Sequence, residues 1–381
     1  MSFRHLGVNA VFLRPRMGGL ETYTKELVPR FLRLRPDLRI SVFVSREGLP
    51  VLREQPWASE VALVTHPLLG APGLKAITEL TVLGELAPRR GVDLLHSVAL
   101  TAPLRTRAVN VVTLADVTWI KLPDPGEMTT VRVWRALVPP VARRADRLIA
   151  ISQAGKDDIV EHLRVPAERI DVVLPGAGTG ATAVPTPEGE LRAAHDLGAG
   201  PIVLAVSAKK AHKNLARLVE AMATVHARVP DAVLVLPGNP TAHEDELRAE
   251  AARLGIASAV RFPAYVSAED LEGLYKAASC FVLPSITEGF GLPVLEAQRR
   301  HVPVAASNTS SLPEAGGDGA RYFDPFDVAD IAAAIVELLE DRDTAARLVA
   351  AGERHAAAFT WERAAEGTLD SYERAWHEQR R

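Results

Sequence analysis

The chain has 381 residues, 48% hydrophobic and 24% charged, with a formal net charge of -3. A single hydrophobic core stops growing near about 250–300 residues, so this length points to two domains. The charge balance gives no bulk electrostatic case for nucleic acid as a partner, and the one cysteine, Cys280, cannot close an internal disulfide.

From the first residues onward, short apolar runs alternate with helical periodicity. The runs are Leu6–Phe12, Ile40–Val44, Val61–Val64, Val92–Leu95, Val109–Leu114, Leu148–Ile151 and Ile170–Leu174. Between the first two, Leu20, Tyr23, Leu27, Phe31 and Leu34 recur at spacings of three and four. Continuous apolar strands separated by amphipathic helices predict a parallel sheet covered on both faces. Residues 175–200 change to Gly, Pro and Thr, which predicts turns and a linker. The pattern restarts with Ile202–Val206, Ala232–Leu236, Val260–Phe262, Cys280–Leu283 and Val302–Ala305, and a long helix from Trp361 to about Trp376 closes the chain. The expected domains are therefore 1–180, joined by 361–381, and 198–358. The N-terminus lacks a signal-peptide pattern. The longest uncharged stretch, around Val172–Pro187, is too rich in turn residues for a membrane span. Cys280 reads as a small buried hydrophobe, which fits a cytoplasmic location.

Open parallel sheets bind ligands beyond the carboxyl ends of their strands, so the loops there are the candidates. In Pro284-Ser-Ile-Thr-Glu288-Gly-Phe-Gly-Leu-Pro-Val-Leu-Glu296, a buried strand enters a glycine loop and Pro293 opens a helix. Such a loop presents backbone N–H groups beside a positive helix end. Glu288 and Glu296 can each accept hydrogen bonds from the vicinal hydroxyls of a sugar or ribose. On an equal footing, Glu296 complements the helix dipole and Glu288 is solvated. Lys209, Lys210, His212 and Lys213 precede another helix, where cations oppose the dipole unless an anion such as a diphosphate sits among them; solvated lysines are the alternative. Gly18 and Gly19 open the first helix and would admit a phosphate or sugar close to the backbone, or simply form an entry turn. Asp116 ends the strand Val109–Leu114, and His96 ends Val92–Leu95. The dinucleotide and P-loop glycine patterns are absent, as is any zinc spacing. Asp341 and Asp343 read as solvated surface, so no metal site and no cofactor is expected.

These residues resemble glycosyltransferase family 4, enzymes of the GT-B fold. The most specific stretch is Leu274-Tyr-Lys-Ala-Ala-Ser-Cys-Phe-Val-Leu-Pro-Ser-Ile-Thr-Glu-Gly-Phe-Gly-Leu-Pro-Val-Leu-Glu-Ala, with Ala-His-Lys-Asn-Leu (211–215) and Pro-Val-Ala-Ala-Ser-Asn-Thr-Ser-Ser-Leu-Pro-Glu (303–314) around it. Gly-Gly-Leu-Glu-Thr-Tyr (18–23) and Asp-Arg-Leu-Ile-Ala-Ile-Ser (146–152) carry the match into the first half. The resemblance implies two Rossmann-like doubly wound domains facing across a cleft, with a C-terminal helix crossing back to the first. It implies transfer of a hexosyl unit, with mannosyl one candidate, from a nucleoside diphosphate sugar, with retention and without metal. Glu288 would bond the transferred sugar, aided by the N–H groups of Gly289, Phe290 and Gly291. Glu296 would hold the ribose. Lys213, with Lys209 nearby, would neutralise the diphosphate. Leu292 would line the phosphate or nucleoside side, and Tyr265 and Val266 the base. Gly18, Gly19 and Asp116 would face the acceptor, which could be a glycan, a lipid-linked or a small molecule.

One departure concerns Ala115, which stands where many members carry a histidine. It motivates a second reading, a nucleotide-sugar-binding protein without transfer; a GT-B sugar-nucleotide epimerase is a third. Arg132, Trp134, Arg135, Arg143 and Arg144 flank a helix expected to break at Pro139-Pro140. Basic residues interleaved with tryptophan suit a peripheral contact with an anionic membrane at its inner face, or are one more part of an arginine-rich surface.

Overall fold

The computed structural model describes residues 3–15, 18–70, 75–123, 126, 128–178, 183–264 and 266–380. It forms two compact units, Met1–Gly176 together with Phe359–Arg381, and Ala177–Ala358.

The first unit holds seven strands: β1 (His5–Ala10), β2 (Arg39–Val44), β3 (Ala62–Val64), β4 (Leu94–Ser97), β5 (Val109–Leu114), β6 (Arg147–Ala150) and β7 (Ile170–Val172). They pair in parallel in the order β3-β2-β1-β4-β5-β6-β7. Strand order reverses between β1 and β4, and in open sheets of this kind ligands bind beyond the carboxyl ends of the strands at such a point. β1, β4, β5 and β6 are buried along their whole length, as expected of strands covered on both faces. The last helix, Trp361–Glu378, belongs to this unit. Its Trp361, Ala364, Ala365, Tyr372, Ala375 and Trp376 enter the same core as Phe3, Tyr23 and Phe31. Tyr372 meets the rings of Phe3, Phe31 and His96 with centroids 5.3–5.8 Å apart. Arg147, itself 5% exposed, holds this helix by pairing with both Asp171 and Glu378.

The second unit repeats the design with β8 (Ile202–Leu204), β9 (Val233–Val235), β10 (Val260–Arg261), β11 (Cys280–Leu283), β12 (Val304–Ser307) and β13 (Ala320–Phe323). All pairs are parallel, in the order β10-β9-β8-β11-β12-β13, so the switch point lies between β8 and β11. Cys280 is fully buried, and burial pushes its thiol up to about 12, so it stays an inert thiol.

Three local expectations change. The segment 175–200 is not all linker: Glu188–His195 is a helix whose Leu191 is buried, and it packs against the helix Ala268–Ala277. The tetrapeptide Ala320–Phe323 is a strand, though Arg321 breaks its apolar run. The helix Met128–Arg144 runs through Pro139 and Pro140 rather than breaking there. Proline inside a helix costs about 3 kcal/mol, but Val138, Val141 and Ala142 are fully buried on that segment and hold it in place. Among the described residues, no helix is long and apolar enough to cross a membrane.

Candidate functional site

The loops after β8 and β11, on either side of the switch point, bring Lys213 and Glu288 together. The Lys213 Nζ lies 2.7 Å from both carboxylate oxygens of Glu288. The two side chains are only 17% and 12% exposed, so the pair is shielded but reachable. Asn214 makes this meeting possible. Its backbone takes the left-handed conformation at φ 59° to start the helix Leu215–Arg228, and its buried amide donates to Pro284 O at 3.0 Å and Pro325 O at 2.7 Å. The Ile286 N–H also donates to His212 O. Three strand-end loops are thereby fixed to one another by one side chain and one backbone bond.

Glu288 is held from below. The Ser285 hydroxyl donates to its Oε1 at 2.7 Å, and its N–H donates to the Ser310 hydroxyl at 3.2 Å. The Ser311 hydroxyl lies 2.9 Å from the carbonyls of Glu288 and Phe290. Phe290 is buried, which anchors the loop between Gly289 and Gly291. Gly291 precedes the helix Leu292–Arg299 at φ 107°, and a Cβ there would lie 2.6 Å from Leu312 Cδ2. Only glycine fits both the conformation and the space. Leu292 and Pro293 then begin the helix, half-buried.

Glu296 sits in that helix, half-buried, and accepts a 2.9 Å hydrogen bond from the Tyr275 hydroxyl. Burial raises its carboxyl pKa above the ordinary glutamate value, against the opposing effects of Tyr275 and Arg300. Arg300 stacks 4.7 Å over the Tyr275 ring and pairs with Glu272, which fixes the phenol that orients Glu296.

Lys209 has a different surrounding from Lys213. Its side chain is fully buried, donating to Gly238 O at 2.7 Å and pairing with Glu244 at 3.1 Å. A buried ammonium needs such partners. The Gly238 N–H in turn donates to the carbonyls of Pro263 and Ala264. Lys209 therefore braces the loop that leads to Val266, which is half-buried just ahead of the Ser267 helix cap. Tyr265 lies outside the described residues.

In the first unit, Gly18 precedes the helix Gly19–Leu34 at φ 70°, and a Cβ there would meet no described atom within 4 Å beyond its chain neighbours. Asp116 follows β5, half-buried, and one of its oxygens accepts from Thr118 N at 2.9 Å. Ala115 beside it is half-buried. His96 does not reach a ligand edge: it is fully buried, with Nε2 2.8 Å from the Thr113 hydroxyl and Nδ1 2.6 Å from the Tyr372 hydroxyl. Desolvation lowers its pKa to about 3, so the ring is neutral. It ties the last helix to the sheet, the structural role that an isolated histidine often has.

Asp341 caps the helix Arg342–Ala356, accepting from Asp343 N and Thr344 N. Among the described residues, Asp158, Glu161 and His162 come close enough to share an ion. They stand on the surface helix Gln153–Leu163, where Lys121 already pairs with Asp158 at 2.8 Å.

Sequence reasoning did not single out Asn214, Tyr275, Ser285 or Ser310. Each hydrogen-bonds to a neighbouring segment, so only three-dimensional contacts reveal it. The signal available was position, since each adjoins a residue of the matched motifs.

The comparisons agree with this architecture. Residues 188–355 match the profile of "Glycosyl transferases group 1" and residues 17–179 that of "Glycosyltransferase Family 4". A D-inositol 3-phosphate glycosyltransferase of Streptomyces scabiei is 30% identical over 393 residues, covering 97% of this chain and 83% of that protein. A protein of the same name from Corynebacterium kroppenstedtii is 34% identical over 249 residues, 62% of this chain, and there the match spans about half of the relative's length, 54%. An O-antigen chain mannosyltransferase B of Escherichia coli is 30% identical over 69% of each chain. Among solved structures, Anabaena HepE in complex with UDP and glucose superposes with a TM-score of 0.73 at 19% identity, over 97% of this chain and 99% of that one. With both halves matched and a relative aligned over nearly the whole chain, this protein belongs to the family 4 glycosyltransferases, of the GT-B fold.

Proposed function

We propose that the chain is a cytoplasmic enzyme that moves a hexosyl unit, mannosyl being one candidate, from a nucleoside diphosphate sugar to a glycan, lipid-linked or small-molecule acceptor, with retention of configuration. The observation that carries this reading is the Lys213–Glu288 pair at the switch point of the second sheet. A cation and a hydroxyl-accepting carboxylate 2.7 Å apart suit the junction between a diphosphate and its sugar. Glu288 accepts from the sugar hydroxyls, and the backbone N–H groups of Gly289, Phe290 and Gly291 add donors. Lys213 faces the diphosphate, Glu296 the ribose hydroxyls, Leu292 the phosphate side, and Val266 with Tyr265 the base. Lys209 acts at one remove, by bracing the loop on the base side.

Departure of the diphosphate concentrates negative charge, and a fixed ammonium in a shielded site stabilises that charge without metal. The leaving phosphate can accept the acceptor's proton on the same face, so no protein nucleophile is required. Gly18, Gly19 and Asp116 serve the acceptor. An anionic membrane surface contacts Arg132, Trp134 and Arg135.

The test is a thermal-shift panel of UDP-, GDP- and ADP-sugars, followed by transfer assays with and without EDTA. A ligand raises stability by RT ln(1 + [L]/Kd), about 2.7 kcal/mol at a hundredfold excess over Kd. One nucleotide series should stand out, and EDTA should leave transfer unchanged. No response to any of them would remove the proposal.

Ala115 supports a second reading, binding without transfer, because a methyl group can neither donate to nor accept from the substrates. Donor binding with no product across a broad acceptor screen would favour it.

A further inference from the structure

Among the described residues, five that are not glycine hold a positive φ: Arg164, Asp196, Asn214, His301 and Ser310. That region crowds the Cβ of any residue with a side chain, so it persists only where the surrounding structure enforces it. Three of the five end helices, where the left-handed conformation is common. Arg164 and Asp196 close the helices Gln153–Leu163 and Glu188–His195. His301 follows the helix Leu292–Arg299, its N–H donating to Gln298 O and the Val302 N–H to Ala297 O. Asn214 opens a helix beside Lys213. Ser310, at φ 57°, ends no helix; it lies in the loop between β12 and the helix Leu312–Gly316.

That loop grips the loop after β11 with three successive hydroxyls. Thr309 Oγ1 donates to Ile286 O at 3.0 Å. The Ser310 hydroxyl accepts from the Glu288 N–H at 3.2 Å and donates to the Glu288 carbonyl at 2.9 Å. The Ser311 hydroxyl reaches the carbonyls of Glu288 and Phe290, both at 2.9 Å. In extended backbone successive side chains alternate faces, so Ser310 would point away from Thr309 and Ser311. The left-handed turn at Ser310 brings all three to one side. One oxygen atom thereby ties the peptide groups on both sides of the Glu288 Cα, while the carboxylate meets Lys213 and Ser285.

We propose that Ser310 is a positioning residue for the transfer reaction: its strained backbone lets one hydroxyl hold both peptide groups flanking the Glu288 Cα, which aims the Glu288 carboxylate at the sugar of the donor. The proposal rests on the reading of Glu288 as the acceptor for the sugar's hydroxyls, and Ser310 acts only through that residue.

Two variants separate the hydroxyl from the strain. Ser310→Ala and Ser310→Gly both delete the clamp, but only glycine takes a positive φ without a Cβ clash. Thermal melts without ligand should place Ser310→Gly above Ser310→Ala, the reverse of the order at an ordinary backbone position. Affinity is read by titration calorimetry of the full chain with UDP-glucose, GDP-mannose and ADP-glucose, each beside its own free diphosphate. Glu288→Ala should weaken the nucleotide sugar roughly tenfold or more relative to the diphosphate. Both Ser310 variants should weaken it roughly three- to tenfold on the same scale, since each loses the same neutral hydrogen bonds. A purely structural role would lower sugar nucleotide and diphosphate alike. If the wild type binds none of the three sugars, or Glu288→Ala keeps the wild-type preference, the donor reading falls and this proposal with it. If Glu288→Ala loses the preference and the Ser310 variants keep it, the proposal alone is overturned. Ser310→Ala melting as high as Ser310→Gly overturns it equally.

Discussion

The ammonium of Lys213 bonds both oxygens of Glu288 at 2.7 Å, and in the proposed function sugar hydroxyls would share those same oxygens. On that proposal the pair couples sugar binding to phosphate binding, and the two substitutions should separate the effects. Glu288→Ala and Glu296→Ala each remove a charged acceptor worth about 1.5–3 kcal/mol, so transfer should fall by roughly ten- to a hundredfold while the thermal melt persists. Wild-type rates in both variants would reject the assignment. Lys213→Ala should weaken a nucleoside diphosphate far more than the free nucleoside; equal losses would put the lysine elsewhere. For Glu296 the sign with pH is fixed by its raised pKa. The carboxylate proposed to hold the ribose is present above that pKa and lost as pH falls through it, so donor affinity should drop on the acid side at a pH above the usual glutamate range. Glu296→Gln should flatten that limb. His96 gives the opposite kind of test, in stability. Its pKa is lowered to about 3 in the fold, so below about 6.5 the unfolded chain binds a proton the folded one does not. The stability it confers is full above pH 6.5 and declines as pH falls from there towards 3, by at most about 1.4 kcal/mol per pH unit. His96→Gln should show a shallower decline in urea melts between pH 6.5 and 4.5; an unchanged slope would refute the buried neutral histidine.

At the scale of the element, burial decides where local preference is ambiguous. The apolar runs of β5 and β11 were legible residue for residue because both faces are covered. The strand Ala320–Phe323 was not, since Arg321 pairs outward with Asp330 and Glu337 and disguises the run. The helix Glu188–His195 hides among prolines and glycines, with Leu191 its only fully buried side chain. The helix Met128–Arg144 crosses two prolines because its inner face is anchored, leaving Arg132, Val133 and Arg135 outward and Trp134 edge-on to Trp119 at 6.2 Å. That outward face is the surface proposed for an anionic membrane. Flotation with liposomes at low salt should carry the protein when anionic lipid is present and fail when Arg132, Trp134 and Arg135 are replaced. Flotation that ignores either change would point to a soluble acceptor.

For the whole molecule, the doubly wound pattern and the strand-end loops that carry Lys213 and Glu288 were readable because each unit repeats strand, loop and helix in chain order. What pattern alone could not supply was the set of contacts between distant segments, such as Asn214 to Pro325 or Tyr372 to His96, since nothing local marks a pairing across more than a hundred residues. The last helix shows what such contacts do. Residues after 358 fill the first unit's core with Trp361, Tyr372 and Trp376, and they satisfy Arg147 and Asp171 through Glu378 and Arg374. Loss of one buried aromatic side chain costs about 3–5 kcal/mol, and a domain is stable by only about 5–15 kcal/mol. Ending the chain at Ala358 should therefore unfold the first unit. The second unit, Ala177–Ala358, keeps its whole sheet and the Lys213–Glu288 pair, so it should retain its own cooperative transition. Limited proteolysis of the truncated protein should degrade segments before residue 176 and spare the rest, and the thermal shift with the preferred nucleotide should survive in the remaining transition. A first unit that stays protected would mean the last helix is an accessory rather than part of its core.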